Sequence, residues 1–330
     1  MNTPQWHCLE GPDCPTLPLA AGMDSPAPLA TPAEHPDARV FLTNKAGALA
    51  GCAALWWSAT PRLAGARVGA IGGFAALDGD GAKVLLDGAE RTLRGQGCEV
   101  VVGPMNGNTW RRHRWVIESD GRGPYLLEPR NPPAYPGWWQ QAGYEVLARY
   151  TSSVVLLGPG PTVRTEVGER LARSGIGIRT IDPSRYDEEL RAIHALSLKS
   201  FTNNFLYTPL DEEAFLESYR KLRERVDREL VLIAERDGQI CGFLFGVEDF
   251  EALARGEHPA LIVKTLAVDP AVRGAGLGAF MIDKLHQTGG PKGYREAIHA
   301  MQHESNSSLR ITGRHGGRVF RSYALWSKRL

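Results

Sequence analysis

Val272-Arg273-Gly274-Ala275-Gly276-Leu277-Gly278 lies between the apolar run Leu261-Ile262-Val263-Lys264-Thr265-Leu266-Ala267-Val268 and the helical pattern Ala279-Phe280-Met281-Ile282-Asp283-Lys284-Leu285. A strand that feeds a glycine-rich turn and then a helix makes an anion site, because the turn's N–H groups and the positive end of the helix dipole converge on one point. Glycine lets the backbone pass close to phosphate oxygens and adopt positive φ there. A diphosphate suits such a turn. Two other readings stay open on the residues alone: glycine used only for the geometry of the turn, and a dinucleotide site. The latter wants Gly-x-Gly-x-x-Gly with an acidic residue about 20 positions on, whereas here the glycines are Gly274, Gly276 and Gly278 and the next strand carries His299.

Working outward, Leu230–Arg236 and Gln239–Gly246 flank Asp237-Gly238, a strong two-residue hairpin signal. Ile176–Ile181 reads as a strand, Pro183–Phe201 and Asp211–Arg225 as helices, Ala297–Met301 as a strand, with a helix after Asn306 and a last strand near Arg318–Trp326. The first half repeats this order. A hairpin turns at Asn44-Lys45-Ala46-Gly47, Val68–Leu77 is a strand, Ala82–Arg94 a helix, Glu99–Pro104 a short buried strand, Tyr135–Ala142 a helix and Tyr144–Leu157 a long strand. Gly158-Pro159-Gly160-Pro161 propagates neither helix nor sheet and is taken as the boundary between halves. The expected organisation is a proline-rich irregular arm over 1–37, a first domain over 38–157 and a second over 158–330.

With 330 residues, 43% of them hydrophobic, the chain is long enough for two cores. Its 38 lysines and arginines nearly cancel 37 acidic residues, so no global field favours nucleic acid. The five cysteines, Cys8, Cys14, Cys52, Cys98 and Cys241, are scattered and odd in number, which suits neither a disulfide framework nor a zinc site. No metal is expected. The start carries no basic segment followed by an apolar one, and no stretch approaches the roughly 18 uninterrupted apolar residues of a spanning helix. A cytoplasmic protein without a membrane partner, monomeric or homodimeric, is the expectation.

Arg273-Gly274-Ala275-Gly276-Leu277-Gly278, preceded by Leu266-Ala267-Val268-Asp269-Pro270, resembles the signature of the GNAT family of acyl-CoA N-acyltransferases: Arg or Gln, two residues, Gly, one residue, then Gly or Ala. The resemblance implies an α/β fold, each domain a mixed, mostly antiparallel sheet flanked by helices, two in tandem. It also implies acetyl-CoA as co-substrate, a primary amine of a small molecule or peptide as acceptor, and direct attack in a ternary complex. Cofactor contacts would come from the main chain of Leu266, Ala267 and Val268, from the turn Arg273, Gly274, Ala275, Gly276, Leu277, Gly278 and Ala279, and from Asn306. Asn306 reads equally as a helix N-cap.

Family members place a base on the strand before the motif, where this chain has Ile262 and Lys264, and an acidic tyrosine in the helix after the asparagine, where Thr312 falls. Candidate catalytic groups are therefore sought in His299, His303 and Glu304 on the strand that should splay from its neighbour, and in Tyr323 on the last strand, with His315 as a further substitute for the acid. Lys264 is expected to be a paired or snorkelling lysine, and would serve as a base only if burial lowered its pKa by several units. The first half resembles a GNAT domain without its motif: Asp78-Gly79-Asp80-Gly81-Ala82 would satisfy the helix dipole with its own carboxylates and repel phosphate. Tyr135 and Trp110, with Arg111, are the groups expected to reach a cleft between the halves. A non-catalytic acyl-CoA-binding protein and a transferase of longer acyl or aminoacyl groups are the rival readings.

Overall fold

The computed structural model describes residues 5–13, 16–23, 34–158, 164–220, 223–224 and 226–330. The first half runs β1 (Gln5–Glu10), β2 (Ala38–Thr43), β3 (Leu49–Trp56), β4 (Arg62–Leu63), β5 (Ala66–Ala76), α1 (Gly79–Gly95), β6 (Val100–Gly103), β7 (Trp115–Ser119), α2 (Ala134–Gln141) and β8 (Glu145–Leu156). The second runs α3 (Thr165–Arg173), β9 (Ile176–Thr180), α4 (Tyr186–Phe201), α5 (Glu212–Arg220), β10 (Val231–Arg236), β11 (Gln239–Glu248), α6 (Phe250–Ala254), β12 (Leu261–Val268), α7 (Leu277–Gly289), β13 (Glu296–His303), α8 (Ser308–Arg314) and β14 (Arg318–Arg329).

One mixed sheet joins both halves in the order β1-β2-β3-β5-β6-β14-β8-β13-β12-β11-β10-β9, with β4 on β5 and β7 on β14. The expected α/β class with a mixed, mostly antiparallel sheet holds. Each half contributes one parallel pair around a helix: β5 with β6 flanking α1, and β12 with β13 flanking α7. Neither half completes its own sheet. β13 is bordered by β8, from the first half, and β6 by β14, from the end of the chain. The turn Gly158-Pro159-Gly160-Pro161 lies outside the described residues from Pro159 onward. Part of the arm read as irregular is ordered: Gln5–Glu10 pairs with β2 as an edge strand, a position where flanking prolines cost no ladder hydrogen bond.

Two layers of helix hold the second half. Leu190, Ile193, Phe215 and Leu216 of α4 and α5 pack on Phe243, Phe245 and Ile262, while Leu277, Phe280, Met281 and Leu285 of α7 pack on the opposite face against Leu244, Leu261 and Val263. Each fully buried side chain of this size contributes roughly 1.5–3 kcal/mol, so the N-terminus of α7 is held against the strand it follows. In the first half α1 buries Leu85, Leu86, Ala89 and Leu93 beside the rings of Phe74, Trp115, Tyr135, Trp139 and Trp326. Tyr135 is thus a core residue, its hydroxyl accepting the Ala76 N–H at 3.1 Å, and does not reach the junction of the halves. Trp110 does: its indole donates to the Thr208 carbonyl at 2.8 Å and packs on Phe201 and Phe215 of the second half.

Candidate active site

β12 pairs with β13 over only three rungs, from Leu261↔Ala297 to Val263↔His299, and then the two part. Both strands are irregular where they diverge. On β12 the ladder to β11 passes from Val263↔Gly246 to Thr265↔Phe245, leaving Lys264 as the extra residue of a bulge. On β13 the ladder to β8 skips between His299 and Gln302, and Met301 takes φ 51°, its N–H donating to Ser152 Oγ at 2.9 Å. A positive φ is unfavourable for a methionine and persists only where the surroundings impose it. Leu266, Ala267 and Val268 keep their pairing to β11, and beyond Val263 their other edge has no strand beside it. The Val268 carbonyl already accepts from Ser200 Oγ at 3.1 Å.

β12 then leads into the glycine turn. Gly274 and Gly276 have φ of 88° and 83°, and Gly276 is the N-cap of α7. The first intrahelical bond runs from the Phe280 N–H to the Gly276 carbonyl at 3.0 Å, so the amides of Leu277, Gly278 and Ala279 have no acceptor inside the helix. No side chain caps α7. The turn is braced from outside: Arg273 donates to the Ser200 carbonyl at 2.8 Å, and Arg170 of α3 donates to the Ala275 carbonyl at 2.9 Å. Arg273 thus serves the turn's shape with its side chain.

The sequence candidates separate into three places. His299 is buried behind β13, with Nδ1 2.7 Å from Thr312 Oγ1 and Nε2 3.1 Å from His286 Nε2; burial first, then the charge of His315, pushes it down to about 3. His315 stands 3.1 Å from Asp283 in the same interior group. Tyr323 is fully buried at the junction, its hydroxyl 3.0 Å from both Tyr125 and Ser152 hydroxyls and donating to Glu128. Burial and the neighbouring Tyr125 and Glu128 raise its proton affinity far above an ordinary tyrosine's, a donor that holds its proton. Glu304 is exposed and accepts the Arg149 N–H at 2.9 Å. Asn306 accepts the Ser308 N–H at 2.9 Å, a capping contact just ahead of α8.

His303 alone among these faces the gap beside residues the sequence reading passed over. Its ring lies 5.0 Å from Tyr150 and 5.2 Å from Phe205. Its Nδ1 accepts the Ser305 N–H at 3.1 Å, so Nε2 carries the proton, and that buried N–H finds no acceptor among the described residues. Across Tyr150, 5.9 Å away, is His113. The carbonyl of Arg111, 2.9 Å from its Nδ1, can only accept, so His113 Nδ1 is protonated and Nε2 presents a lone pair. Burial, with Arg114 and Lys264 nearby, holds His113 well below the ordinary histidine value, hence neutral. Arg114 stacks on the Tyr150 ring, 4.3 Å from its centroid. Lys264 is pushed down to about 8 by burial and by Arg114. The run Trp110-Arg111-Arg112-His113-Arg114 is the one signal in the sequence that pointed here, a basic and aromatic cluster in an otherwise balanced chain. Two further concavities, of about 250 Å³ beside Arg122 and Asp249 and about 660 Å³ beside Glu99 and Lys328, lie away from the glycine turn.

Residues 190–315, running from within α4 to just past α8 and including this turn, match the Acetyltransferase (GNAT) family. The second half carries a GNAT domain. Among solved structures, a GCN5-related N-acetyltransferase from Sphaerobacter thermophilus superposes with a TM-score of 0.53 at 17% identity, covering 88% of this chain and 80% of that one. A fungal GCN5-related glucosamine N-acetyltransferase region within a multi-domain β-N-acetylglucosaminidase gives 0.56 at 16% identity, covering 88% of this chain and 33% of that one. These likenesses show the fold. The bacterial ceramide synthase of Caulobacter vibrioides is 26% identical over 233 residues, 68% of this chain and 60% of that protein, so this chain spans less than two thirds of that relative. Among the described residues no helix is long and apolar enough to cross a membrane and no group of side chains is arranged to hold a metal ion.

Proposed function

We propose that the protein transfers an acyl group, acetyl in the simplest case, from acyl-CoA to a primary amine of a small molecule or peptide. The observation that carries this reading is the α7 N-terminus, where three amides without intrahelical acceptors follow two glycines of positive φ at the end of a strand whose free edge opens into a gap. The diphosphate of CoA would take the amides of Leu277, Gly278 and Ala279, each charge-assisted bond contributing roughly 1.5–3 kcal/mol before ordering costs, and pantetheine would run along Leu266 to Val268.

The amine nitrogen would attack the thioester carbonyl carbon, the C–S bond would break, and CoA would leave as a thiol after protonation. The attacking amine must shed a proton, and His113 Nε2 offers a lone pair for it from a ring fixed by Arg111. His303 Nε2–H, a buried donor without a partner among the described residues, would stabilise developing negative charge or protonate the thiolate. The cysteine beside the turn, Cys241, is buried in the core under α7 with its thiol pushed up by burial, so no covalent enzyme intermediate is invoked. The similarity to a ceramide synthase supports a second reading, transfer of a longer acyl chain.

The test is thiol release from acetyl-CoA and from a long-chain acyl-CoA across a panel of primary amines, beside CoA titration calorimetry. Turnover with at least one amine is expected; CoA binding without turnover on any amine or donor would leave a binding protein in its place.

A further inference from the structure

The gap between β12 and β13 is lined by cations that have no counterion among the described residues. Arg114, in the loop after β6, is half-buried with φ 64°, and its Nε is buried without a hydrogen-bond partner. Lys264, the bulge residue of β12, is half-buried on the other side. Neither forms an ion pair or a side-chain hydrogen bond among the described residues. Carboxylates of the surrounding elements have partners of their own: Glu128 with Tyr323 and Arg321, Glu304 with the Arg149 amide, Glu34 with Asn106. Arg111, next in the loop, is turned away onto the Glu34 carbonyl. Two half-buried like charges without a counterion among the described residues cost a fold stability, and perturbed charges of this kind in a cleft mark candidate ligand sites.

We propose that this junction binds an anionic group, a carboxylate or a phosphate, carried by the acceptor, with Arg114 from the first half and Lys264 from the second as its two cationic contacts. The proposal rests on the acyl-transfer reading above and narrows its substrate class to amines that also bear a negative charge. It assigns the first half a task in the reaction, since Arg114 and His113 both come from the loop that Trp110 pins to the second half. It also explains how His113 becomes a better base: an anion between Arg114 and Lys264 relieves the repulsion that disfavours its protonation. A diamine or polyamine would bring further positive charge to the same place and is excluded. An anionic acyl group on the donor, such as succinyl, is the other source of the same chemistry.

The experiment uses the full chain and matched acceptors, glycine against methylamine and O-phosphoethanolamine against ethanolamine, with acetyl-CoA and succinyl-CoA as donors. Wild type is expected to prefer the anionic member of a pair by about tenfold or more in kcat/KM, near 1.4 kcal/mol. Arg114→Gln and Lys264→Met should each collapse that ratio mainly through KM, Arg114→Lys should retain most of it, and CoA affinity by calorimetry should stay unchanged. Because each neutral variant removes an uncompensated charge, its melting temperature should be equal to or above wild type, which separates lost recognition from lost folding. Equal use of both members by wild type, or a ratio unmoved in both neutral variants, overturns the proposal. So does a preference for succinyl-CoA without any for acceptor charge. If no amine turns over, the acyl-transfer reading fails separately. The anion site is then read from thermal shift of the CoA-saturated protein with O-phosphoethanolamine, where a shift in wild type that Arg114→Gln abolishes upholds it and no shift in wild type overturns it.

Discussion

The two halves present the same strand, turn and helix, and only one of them leaves the helix end open. After β5, Asp78 caps α1 and accepts the Gly81 N–H at 2.7 Å, with Asp80 in the first turn. After β12, Gly276 caps α7 with a backbone in the left-handed region and no side chain over the amides. In the first case the chain supplies the anion that the dipole favours; in the second it supplies a place for one. One fold element, repeated, is thus turned from structure to ligand site by a choice between aspartate and glycine at the cap.

The largest expected effect follows from closing the open end. Gly276→Glu places a side chain where φ is 83° and where even a Cβ would meet Val167 Cγ1 at 3.2 Å and Arg170 Nη2 at 3.4 Å, and brings a carboxylate to the amides as Asp78 does at α1. CoA affinity is expected to fall by more than about 100-fold, over 2.7 kcal/mol, in calorimetry, while circular dichroism shows the fold retained. Unchanged affinity would remove the turn from the site. A stoichiometry of two CoA per wild-type chain would break the comparison from the other side, since α1 would then bind as well.

The gap itself gives the next effect. Lys264, pushed down to about 8 from an ordinary 10.5, should lose its charge as pH rises through 8, so the preference for anionic acceptors should decline there, and Lys264→Arg should hold it level to higher pH. The other groups facing it do not titrate in this range: burial keeps His113 and His303 neutral and raises Tyr150, and Arg114, although lowered by burial, keeps the charge of a guanidinium. The sign for stability runs opposite to function. Between pH 8 and 10.5 the unfolded lysine binds the proton that the folded one has released, so this residue's contribution to stability rises with pH across that window. Lys264→Met should remove that rise from urea-midpoint measurements; a difference curve flat with pH would mean that the lysine is solvated.

What the sequence made legible and what it hid divide along the range of the interactions. β12 spans the predicted Leu261–Val268, and the hairpin at Asp237-Gly238 turns with φ of 54° and 74°, because local pattern and turn chemistry decide both. The glycine turn was readable for the same reason. The placement of β14 between β6 and β8 was not, since strand order is set by pairings as distant in the chain as Tyr323 with Tyr150 and Arg329 with Val100 and leaves no local mark. His113 and Arg114 stayed hidden because they become site residues only when Trp110 docks between α4 and α5. His299 and Tyr323 drew notice by residue type and strand position, and tertiary packing put both in the interior.

Two smaller substitutions sharpen the comparison of helix ends. Asp78→Ala removes the α1 cap and should cost about 1 kcal/mol of stability, visible as a lowered melting temperature, without creating a second CoA site, because the α1 turn Asp78-Gly79-Asp80 still carries Asp80. The least is expected of Arg170→Ala. Arg170 reaches from α3 to the Ala275 carbonyl across an exposed contact of 2.9 Å, and solvent competes for such a bond, so its loss amounts to about 1 kcal/mol or less. The α1 cap is a side chain bonded to its own helix, whereas the glycine cap of α7 leans on neighbours to hold its shape. CoA affinity in Arg170→Ala should therefore drop by about two- to fivefold, through ordering of the turn, with the acceptor preference unaltered. A loss as large as that of Gly276→Glu would mean that Arg170 itself meets the diphosphate, and the open helix end would then be a basic site assembled from α3 and α7 together.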